Sequence, residues 1–272
     1  MNINNKKIWI TGASSGIGEA LAIECAKQGA TLVLSARNEE QLNLLKTQLH
    51  NSERHQVVPL DLANAEQVTD IVSAYINEQG SVDILVNNGG ISQRGTALET
   101  KLDVQRQVME VNYFGTVAMT QAVLPSMLSS KETSNEKCKG MVVTVSSVAG
   151  KVGGKSMSGY SASKHAIIGY MDCLRAEEST NGLQVLTICP GFVQTKISVN
   201  AMLADGSQFG KVAGSIKHGI AVDDCARQIV QAIKQDKKEV VIGKGISGWA
   251  PTIARLFPNT FKKMAAKKNF RD

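Results

Sequence analysis

The chain has 272 residues, of which 43% are hydrophobic and 20% charged, and this composition excludes a disordered or fibrous protein. The length suffices for one large core, so we expect a single domain. Residues 1–7 are polar, and the apolar run before Gly12 is short. We therefore predict neither a signal peptide nor a membrane span, and expect a cytoplasmic protein.

The positive charge of the chain is concentrated at one end. Residues 255–272 contain six basic residues and one acid, and so supply five of the six net positive charges. The rest of the chain is nearly neutral, which argues against a general nucleic-acid surface. The five cysteines are widely spaced without a CxxC pair, so we expect no metal site and no disulfide framework.

Short apolar runs alternate along the chain with segments of helical periodicity. We predict strands at 8–10, 31–36, 57–60, 84–86, 141–145, 185–189 and 240–242, and helices near 17–28, 42–49, 64–79, 102–129, 159–180 and 222–235. Strands that are almost wholly apolar, each followed by a helix, form a parallel sheet. The predicted fold class is therefore α/β, with a single doubly wound, Rossmann-type parallel sheet and helices on both faces.

A glycine-rich turn follows the first predicted strand and opens the first helix. Residues 11–18 read Thr-Gly-Ala-Ser-Ser-Gly-Ile-Gly. Glycine lets the backbone approach a pyrophosphate, and the free N–H groups of a helix N-terminus attract its charge. A tight strand-to-helix connection is the alternative, but the position in an α/β chain favours a dinucleotide site. The candidate contacts in this turn are Gly12, Ser14, Ser15, Gly16, Ile17 and Gly18.

The end of the second strand indicates which dinucleotide is bound. NAD-binding chains commonly have an acidic residue there, whereas this chain has Ser-Ala-Arg at residues 35–37. Arg37 can pair with a ribose 2′-phosphate, and Ser14 or Ser15 can add a hydroxyl contact. We therefore predict NADP(H), with a solvated helix-start residue as the alternative interpretation of Arg37.

Tyr160 and Lys164 lie four residues apart in a predicted helix and therefore face the same side. A free tyrosine has a pKa of about 10, and a nearby ammonium lowers such a pKa because it favours the phenolate. Tyr160 can then protonate a carbonyl oxygen during reduction and deprotonate an alcohol during oxidation. Taken alone, a YxxxK pattern is common by chance.

The position of Ser147 favours a catalytic interpretation of the Tyr160 and Lys164 spacing. This residue follows the fifth predicted strand, thirteen residues before Tyr160, at the strand end where α/β sheets bind ligands. Its hydroxyl can bind a substrate oxygen and hold it within reach of Tyr160. We expect a structural role for the neighbouring Ser146.

With these motifs in order, the sequence resembles the short-chain dehydrogenase/reductase family over about residues 7–242. The resemblance is carried by residues 11–18, Asp61, Asn87-Asn88-Gly89-Gly90, Asn112, Ser147, Tyr160, Lys164, Pro190-Gly191 and Thr195. Residues 197–207 further resemble the dehydrogenase/reductase SDR member 7 subgroup. Gly89 departs from the family, which usually has alanine there, and the smaller glycine should still fit.

The resemblance implies an enzyme that moves a hydride between the pro-S face of NADP(H) and a carbonyl or alcohol carbon. It implies that Asn112 helps a water connect Lys164 to solvent, with a local backbone hydrogen bond as the alternative role. The implied catalytic set is Asn112, Ser147, Tyr160 and Lys164. It also implies that Asn87 contacts the adenosine side of the cofactor. The remaining cofactor contacts are Asp61, for which helix capping is the alternative, Leu62, Asn88, Tyr160, Lys164, Pro190, Gly191, Val193 and Thr195.

By the same resemblance, residues 1–245 are the NADP-binding catalytic domain and residues 191–220 a substrate lid. Mobile points are expected at Gly206, Gly210, Gly214 and Gly219. Ile197, Val199, Met202, Leu203 and Phe209 suit an apolar carbonyl compound, such as a steroid, retinoid, aromatic ketone or acyl thioester.

Residues 246–272 form a basic amphipathic segment with apolar residues at helical intervals: Trp249, Ile253, Leu256, Phe257, Phe261 and Met264. Packing near the substrate mouth or on another subunit is one interpretation, and contact with an anionic membrane surface is the other. Family members usually dimerise through helices near 102–129 and 159–180, so we expect a homodimer or homotetramer. A catalytically weak NADP(H)-binding sensor or scaffold is the alternative function, although such proteins typically lose a catalytic residue.

Overall fold

The computed structural model describes residues 1–129 and 138–267. Within them the strands form one seven-stranded sheet in the order β3-β2-β1-β4-β5-β6-β7, with every neighbouring pair parallel. The strands are β1 Lys7–Thr11, β2 Thr31–Ser35, β3 Gln56–Val57, β4 Ile84–Asn87, β5 Gly140–Val145, β6 Leu183–Pro190 and β7 Glu239–Ile242. The predicted fold class is confirmed.

Helices cover both faces of the sheet. They are α1 Gly16–Lys27, α2 Glu39–Gln48, α3 Ala65–Gln79, α4 Leu102–Met109, α5 Gly115–Ser129, α6 Ser158–Glu178, α7 Gly214–Lys217, α8 Val222–Lys234, α9 Ile246–Leu256 and α10 Pro258–Lys267. Alternation along β1 shows how the core divides. Ile8 and Ile10 pack with α1 and α8, whereas Trp9 packs on the opposite face with α3 and α5.

Two elements differ from their predicted extents. The strand predicted at 57–60 ends at Val57, although the next residues still follow β2, since Leu60 donates its N–H to Ala36 at 3.2 Å. The helix predicted over 102–129 is interrupted by a π-helical turn at Glu110–Phe114. Residues 129–139 form a polar stretch in the sequence, and most of them lie outside the described residues.

The basic C-terminal segment folds into α9 and α10. Ala250 and Phe261 are buried against Val148, with Ile253 and Met264 partly buried around them. The segment thus covers the region just after β5, where the sequence places Ser147. Within residues 1–129 and 138–267, no helix combines the length and apolarity that crossing a membrane requires.

His55 ties the edge of the sheet to the loop after α2. Its Nδ1 accepts the N–H of Leu32 at 3.1 Å, so the proton lies on Nε2, which donates to the carbonyl of His50 at 3.0 Å. Burial lowers the pKa of His55 from its ordinary value of 6.5. A second proton on the ring would remove the acceptor of the Leu32 N–H.

We therefore predict that His55 makes folding sensitive to acid. Because its folded-state pKa is lowered, the unfolded chain takes up the proton first, and stability is lost as the pH falls below 6.5. His55→Asn keeps an acceptor but does not titrate, so its free energy of unfolding should fall less between neutral and mildly acidic pH. Urea unfolding at several pH values measures this. His50→Asn, which retains the bonded carbonyl, is the matched control, and equal slopes for wild type and His55→Asn would contradict the prediction.

Candidate active site

A cavity of about 940 Å³ opens at the carboxyl ends of the parallel strands. Ligands bind at this edge of doubly wound sheets because the connections diverge there to opposite faces. Many of the residues singled out from the sequence line it: Gly12, Ser14, Ser15, Gly16, Ile17, Arg37, Asp61, Leu62, Asn88, Ser147, Tyr160, Lys164, Pro190, Gly191, Val193 and Thr195. Gly18 and Asn112 do not line the cavity.

The glycine-rich turn is shaped by two left-handed residues. Gly12 has φ +65° and Gly16 has φ +60°, conformations that side chains disfavour. Gly18 has a different role, because a Cβ there would lie 2.3 Å from the carbonyl oxygen of Gly12. It lets α1 pack tightly behind the turn.

Asn88 fastens this turn to the end of β4. Its side-chain amide donates to the carbonyls of Thr11 at 3.0 Å and Gly12 at 3.2 Å. In return, the hydroxyl oxygen of Thr11 accepts the N–H groups of Asn88 and Gly89, both at 3.1 Å. Four hydrogen bonds therefore join β1 and β4 at the floor of the cavity.

The structure does not bring the side chain of Asn87, for which a cofactor contact was expected, to the cavity. Its side chain is buried, does not line the cavity and donates to the hydroxyl of Thr120 in α5 at 2.9 Å. Successive residues of a strand point to opposite faces, so Asn87 turns toward the helices when its neighbour faces the turn. The asparagine that borders the cavity is Asn88.

Positive charge lies at the far end of the cavity. Arg37 is exposed and lines it, next to Asn38, whose side chain caps α2 by accepting the N–H of Gln41 at 3.0 Å. The guanidinium and the N-terminus of α2 thus favour an anion at the same place.

In the loop after β3, which runs beside the end of β2, Asp61 accepts the N–H of Ala63 at 3.0 Å. Helix capping, its alternative role, is excluded because Asn64 caps α3 by accepting the N–H of Gln67 at 3.1 Å. Asp61 therefore orders the loop after β3 and borders the cavity.

Tyr160 and Lys164 lie at the inner end of the cavity on α6. Both side chains are buried, and the Lys164 Nζ lies 5.9 Å from the centre of the Tyr160 ring. The ammonium donates to the carbonyl of Val145, at the end of β5, at 3.0 Å. Burial lowers the pKa of Lys164 from 10.5 to about 8.

Two serines after β5 have different roles. The hydroxyl of Ser146 donates to the carbonyl of Lys164 at 3.0 Å and so fixes α6 against the sheet, as expected for a structural residue. The hydroxyl of Ser147 faces the cavity, donates to the carbonyl of Pro190 at 3.3 Å and accepts the N–H of Ala149 at 3.0 Å. Its proton must turn away from Pro190 to reach a substrate oxygen.

Asn112 lies in the π-helical turn and bonds the backbone. Its Oδ1 accepts the N–H of Ile91 at 2.8 Å, and its Nδ2 donates to the carbonyl of Ile91 at 2.9 Å and the hydroxyl of Ser163 at 3.0 Å. These bonds reach the loop after β4 and helix α6, so they differ from the local backbone hydrogen bond that the sequence left open as an alternative. Gly90 packs closely against this group, because a Cβ there would lie 2.9 Å from Asn112 Oδ1 and 3.5 Å from Lys164 Nζ.

Sequence reasoning missed several cavity residues from separate segments, including Arg94, Gln107, Met157, Ile246 and Ala250. No local motif marks them. Of the apolar lid residues singled out, Ile197 and Met202 line the cavity, whereas Val199, Leu203 and Phe209 do not. Phe209 instead lies 4.3 Å from the guanidinium of Arg94.

A sequence profile described as short chain dehydrogenase matches residues 6–205. The chain belongs to the short-chain dehydrogenase/reductase family. It is 40% identical to a dehydrogenase/reductase SDR family protein 7-like of Anopheles gambiae over 98% of this chain and 86% of that protein. It is 38% identical to dehydrogenase/reductase SDR family member 7B of Danio rerio, with the same two coverages of 98% and 86%.

Two solved structures from the family are similar in fold. A short-chain dehydrogenase of Burkholderia cenocepacia in complex with NADP is 25% identical, with a TM-score of 0.77 over 97% of this chain and 99% of its own. A family member from Burkholderia phymatum in complex with NAD is 24% identical, with a TM-score of 0.78 over 100% of this chain and 98% of its own.

Within this short-chain dehydrogenase/reductase, Leu62 is held between two glycines. A Cβ at Gly115 would lie 2.1 Å from the Leu62 carbonyl oxygen, which is backbone. A Cβ at Gly89, the departure from the family pattern, would lie 2.5 Å from a terminal methyl of the Leu62 side chain. The side chain can rotate, whereas the carbonyl moves only with its loop.

We therefore predict that Gly115→Ala lowers the free energy of unfolding by about 1–3 kcal/mol, and that Gly89→Ala lowers it less. Gly115→Ala must displace the loop of Asp61 and Leu62, so its affinity for the nicotinamide cofactor should also fall. Denaturant unfolding and cofactor titration measure the two effects. Each variant serves as the control for the other, and an equal or greater loss for Gly89→Ala would contradict the assigned contacts.

Proposed function

We propose that this protein is an NADP(H)-dependent carbonyl reductase or alcohol dehydrogenase in which Tyr160 is the acid and base. The observation that carries this proposal is the buried ammonium of Lys164, one helical turn from a tyrosine that faces the cavity. Membership of the family supports an oxidoreductase that acts on CH–OH and C=O groups.

The cavity fits a nicotinamide dinucleotide. A Cβ at Gly12 would meet Gly89 at 2.7 Å, and one at Gly16 would meet Thr195 at 3.2 Å, so the turn leaves no room for side chains. The N-terminus of α1 would hold the pyrophosphate, Arg37 a 2′-phosphate, and Asp61 with Leu62 the adenine side. At the other end, Pro190, Gly191, Val193 and Thr195 would border the nicotinamide, with Lys164 on its ribose. When bound, the cofactor supplies or accepts the hydride.

The residues of the chain handle the proton. In reduction, Tyr160 gives its phenolic proton to the carbonyl oxygen as that oxygen gains negative charge, and the charge of Lys164 favours the phenolate left behind. In oxidation, the phenolate takes the alcohol proton. Ser147 would turn its hydroxyl from Pro190 and donate to the same substrate oxygen.

Asn112 is proposed as a positioning residue. It joins Ile91 to Ser163, and Ser163 donates to the carbonyl of Tyr160 at 2.9 Å. This chain of hydrogen bonds holds α6 against the loop after β4. A side chain at Gly90 would crowd this network, because a Cβ there would lie 2.9 Å from Asn112 Oδ1.

We further propose that residues 1–245 form the catalytic domain and residues 191–220 its substrate lid. The lid is tied to the loop after β4, since Met202 accepts the N–H of Arg94 at 2.7 Å and donates its own to Ser92 at 2.9 Å. Ile197, Met202, Met157 and Phe261 make an apolar lining that suits an apolar carbonyl substrate, of steroid, retinoid, ketone or acyl type.

An assembly of two or four copies is also proposed. Leu102 on α4 is 61% exposed and Phe114, just before α5, is 49% exposed, and a partner would cover such side chains. A cytoplasmic location stays a prediction.

Tyr160→Phe is expected to lower the rate of NADPH oxidation with a reducible carbonyl by about 10²–10⁴-fold, because the proton donor is lost. NADPH binding, followed by fluorescence, should be retained. A panel of ketones and aldehydes monitored by NADPH absorbance measures the rate, with Tyr170→Phe as the matched control. Unchanged turnover in Tyr160→Phe would refute the mechanism, and wild-type protein that binds NADPH but reduces no carbonyl would favour a sensor or scaffold.

Arg37→Ala is expected to weaken NADPH binding by about 10–100-fold and leave NADH binding nearly unchanged, because only NADPH has the 2′-phosphate. Calorimetric titration of both cofactors measures the difference. Arg54→Ala removes an exposed arginine that does not line the cavity and serves as the control. Equal losses for NADPH and NADH would remove Arg37 as the residue that selects the phosphate.

A further inference from the structure

The helices α9 and α10 expose apolar and basic side chains together, and we call this set the tail surface. Its apolar members are Ile246, Trp249, Leu256 and Phe257, and its basic members are Lys244, Arg255, Lys262, Lys263 and Lys267. Trp249 is 66% exposed, Leu256 64% and Phe257 61%. Large apolar residues that are exposed and cluster on one element indicate a site of interaction with another protein or a membrane.

The exposed apolar side chains of α9 and α10 are not needed to hold these helices on the rest of the protein. Ala250 and Phe261 already bury the inner faces of α9 and α10 against Val148. Trp249 and Leu256 are seven residues apart, two helical turns, so they lie on one side of α9 outside that packing. The exposed stripe thus has no role in fixing the helices on the protein.

The charge of the tail surface selects its partner. Residues 240–267 contain five basic residues and no Asp or Glu. A second copy that docked through the same surface would bring like charges together, which is unfavourable. Nucleic acid would satisfy the cations but would leave Trp249, Leu256 and Phe257 without an apolar environment. An anionic bilayer offers phosphates for the cations and an apolar layer just beneath them.

The tail surface also adjoins the candidate active site. Ile246 belongs to both, and Ser247, Ala250 and Phe261 from the same two helices line the cavity. A surface that binds lipid through α9 and α10 would therefore place the cavity wall next to the bilayer.

We propose that the tail surface docks on an anionic lipid bilayer, with Trp249, Leu256 and Phe257 in the headgroup layer and the lysines on lipid phosphates. Docking would place the cavity next to the bilayer, in which apolar compounds concentrate. The advantage for an apolar substrate rests on the proposed function, whereas the docking itself does not.

Trp249 provides a direct readout. The other tryptophan, Trp9, is fully buried, so a change in emission on adding vesicles reports the exposed ring. With phosphatidylcholine vesicles that contain phosphatidylglycerol, we expect a blue shift of the emission and co-sedimentation of the protein. With phosphatidylcholine alone, or at high salt, both should be much weaker because the electrostatic attraction is absent or screened. Absence of binding to the anionic vesicles would overturn the proposal.

Charge reversal tests the surface itself. Lys262→Glu combined with Lys263→Glu should weaken binding to anionic vesicles more than about tenfold. The matched control combines Lys27→Glu with Lys237→Glu, two exposed lysines outside α9 and α10, and should bind nearly as wild type does. Equal loss in both double variants would show a general charge effect and overturn the proposal. Thermal unfolding and NADPH titration establish that each variant is folded.

Substituting the apolar residues separates lipid from a second copy. Trp249→Ser combined with Phe257→Ser should reduce co-sedimentation with anionic vesicles and leave the sedimentation coefficient in the absence of lipid unchanged. A fall in oligomeric state would assign the surface to a protein interface and refute the proposal. Reduction of a water-soluble carbonyl by NADPH is measured in parallel, so a failure of the proposed function is distinguishable from a failure of docking.

Discussion

The side chain of Lys164 is largely buried, and the packing and hydrogen bonds around it hold its ammonium group in place. Burying a charge costs free energy unless polar groups replace the water. The end of β5 supplies such a group through the carbonyl of Val145, and Ser146 fixes the backbone of Lys164 itself. Gly150 completes the arrangement, because a Cβ there would lie 2.6 Å from the Lys164 carbonyl oxygen. This packing places the buried ammonium of Lys164 near the ring of Tyr160.

The order of the strands determines where a ligand can reach Tyr160 and Lys164. β1 lies between β2 and β4, so the chain leaves this point toward opposite ends of the sheet and a crevice opens. Asn88 and Thr11 bridge the crevice floor with hydrogen bonds between the ends of β1 and β4. The same cavity therefore extends from the anion-favouring end at Arg37 to Tyr160. A molecule with a phosphate at one end and a reactive ring at the other matches that layout.

Local patterns predicted the fold and much of the cavity lining, since strand periodicity, the turn at 11–18 and the Tyr160–Lys164 spacing each depend on neighbours in the chain. The π-helical turn was not predictable, because it depends on Asn112 and its long-range bonds to Ile91 and Ser163. Side-chain alternation along β4 sends Asn87 toward α5 and Asn88 toward the cavity. The contribution of Phe261 required knowing that α10 folds back beside Val148. Phe209 of the lid contacts Arg94 instead of lining the cavity, which its apolar character alone did not reveal.

Titration of Lys164 is the most direct measurement. The lysine side chains are labelled with ¹⁵N. The Nζ resonance of Lys164 is assigned as the one that is absent from the spectrum of Lys164→Met, and its chemical shift is then followed through neutral and alkaline pH. A midpoint near about 8 is expected, because burial lowers the pKa of Lys164 to about 8. A midpoint near 10.5, the ordinary value for a lysine, would contradict a buried ammonium as the basis of the proposed acid and base role of Tyr160.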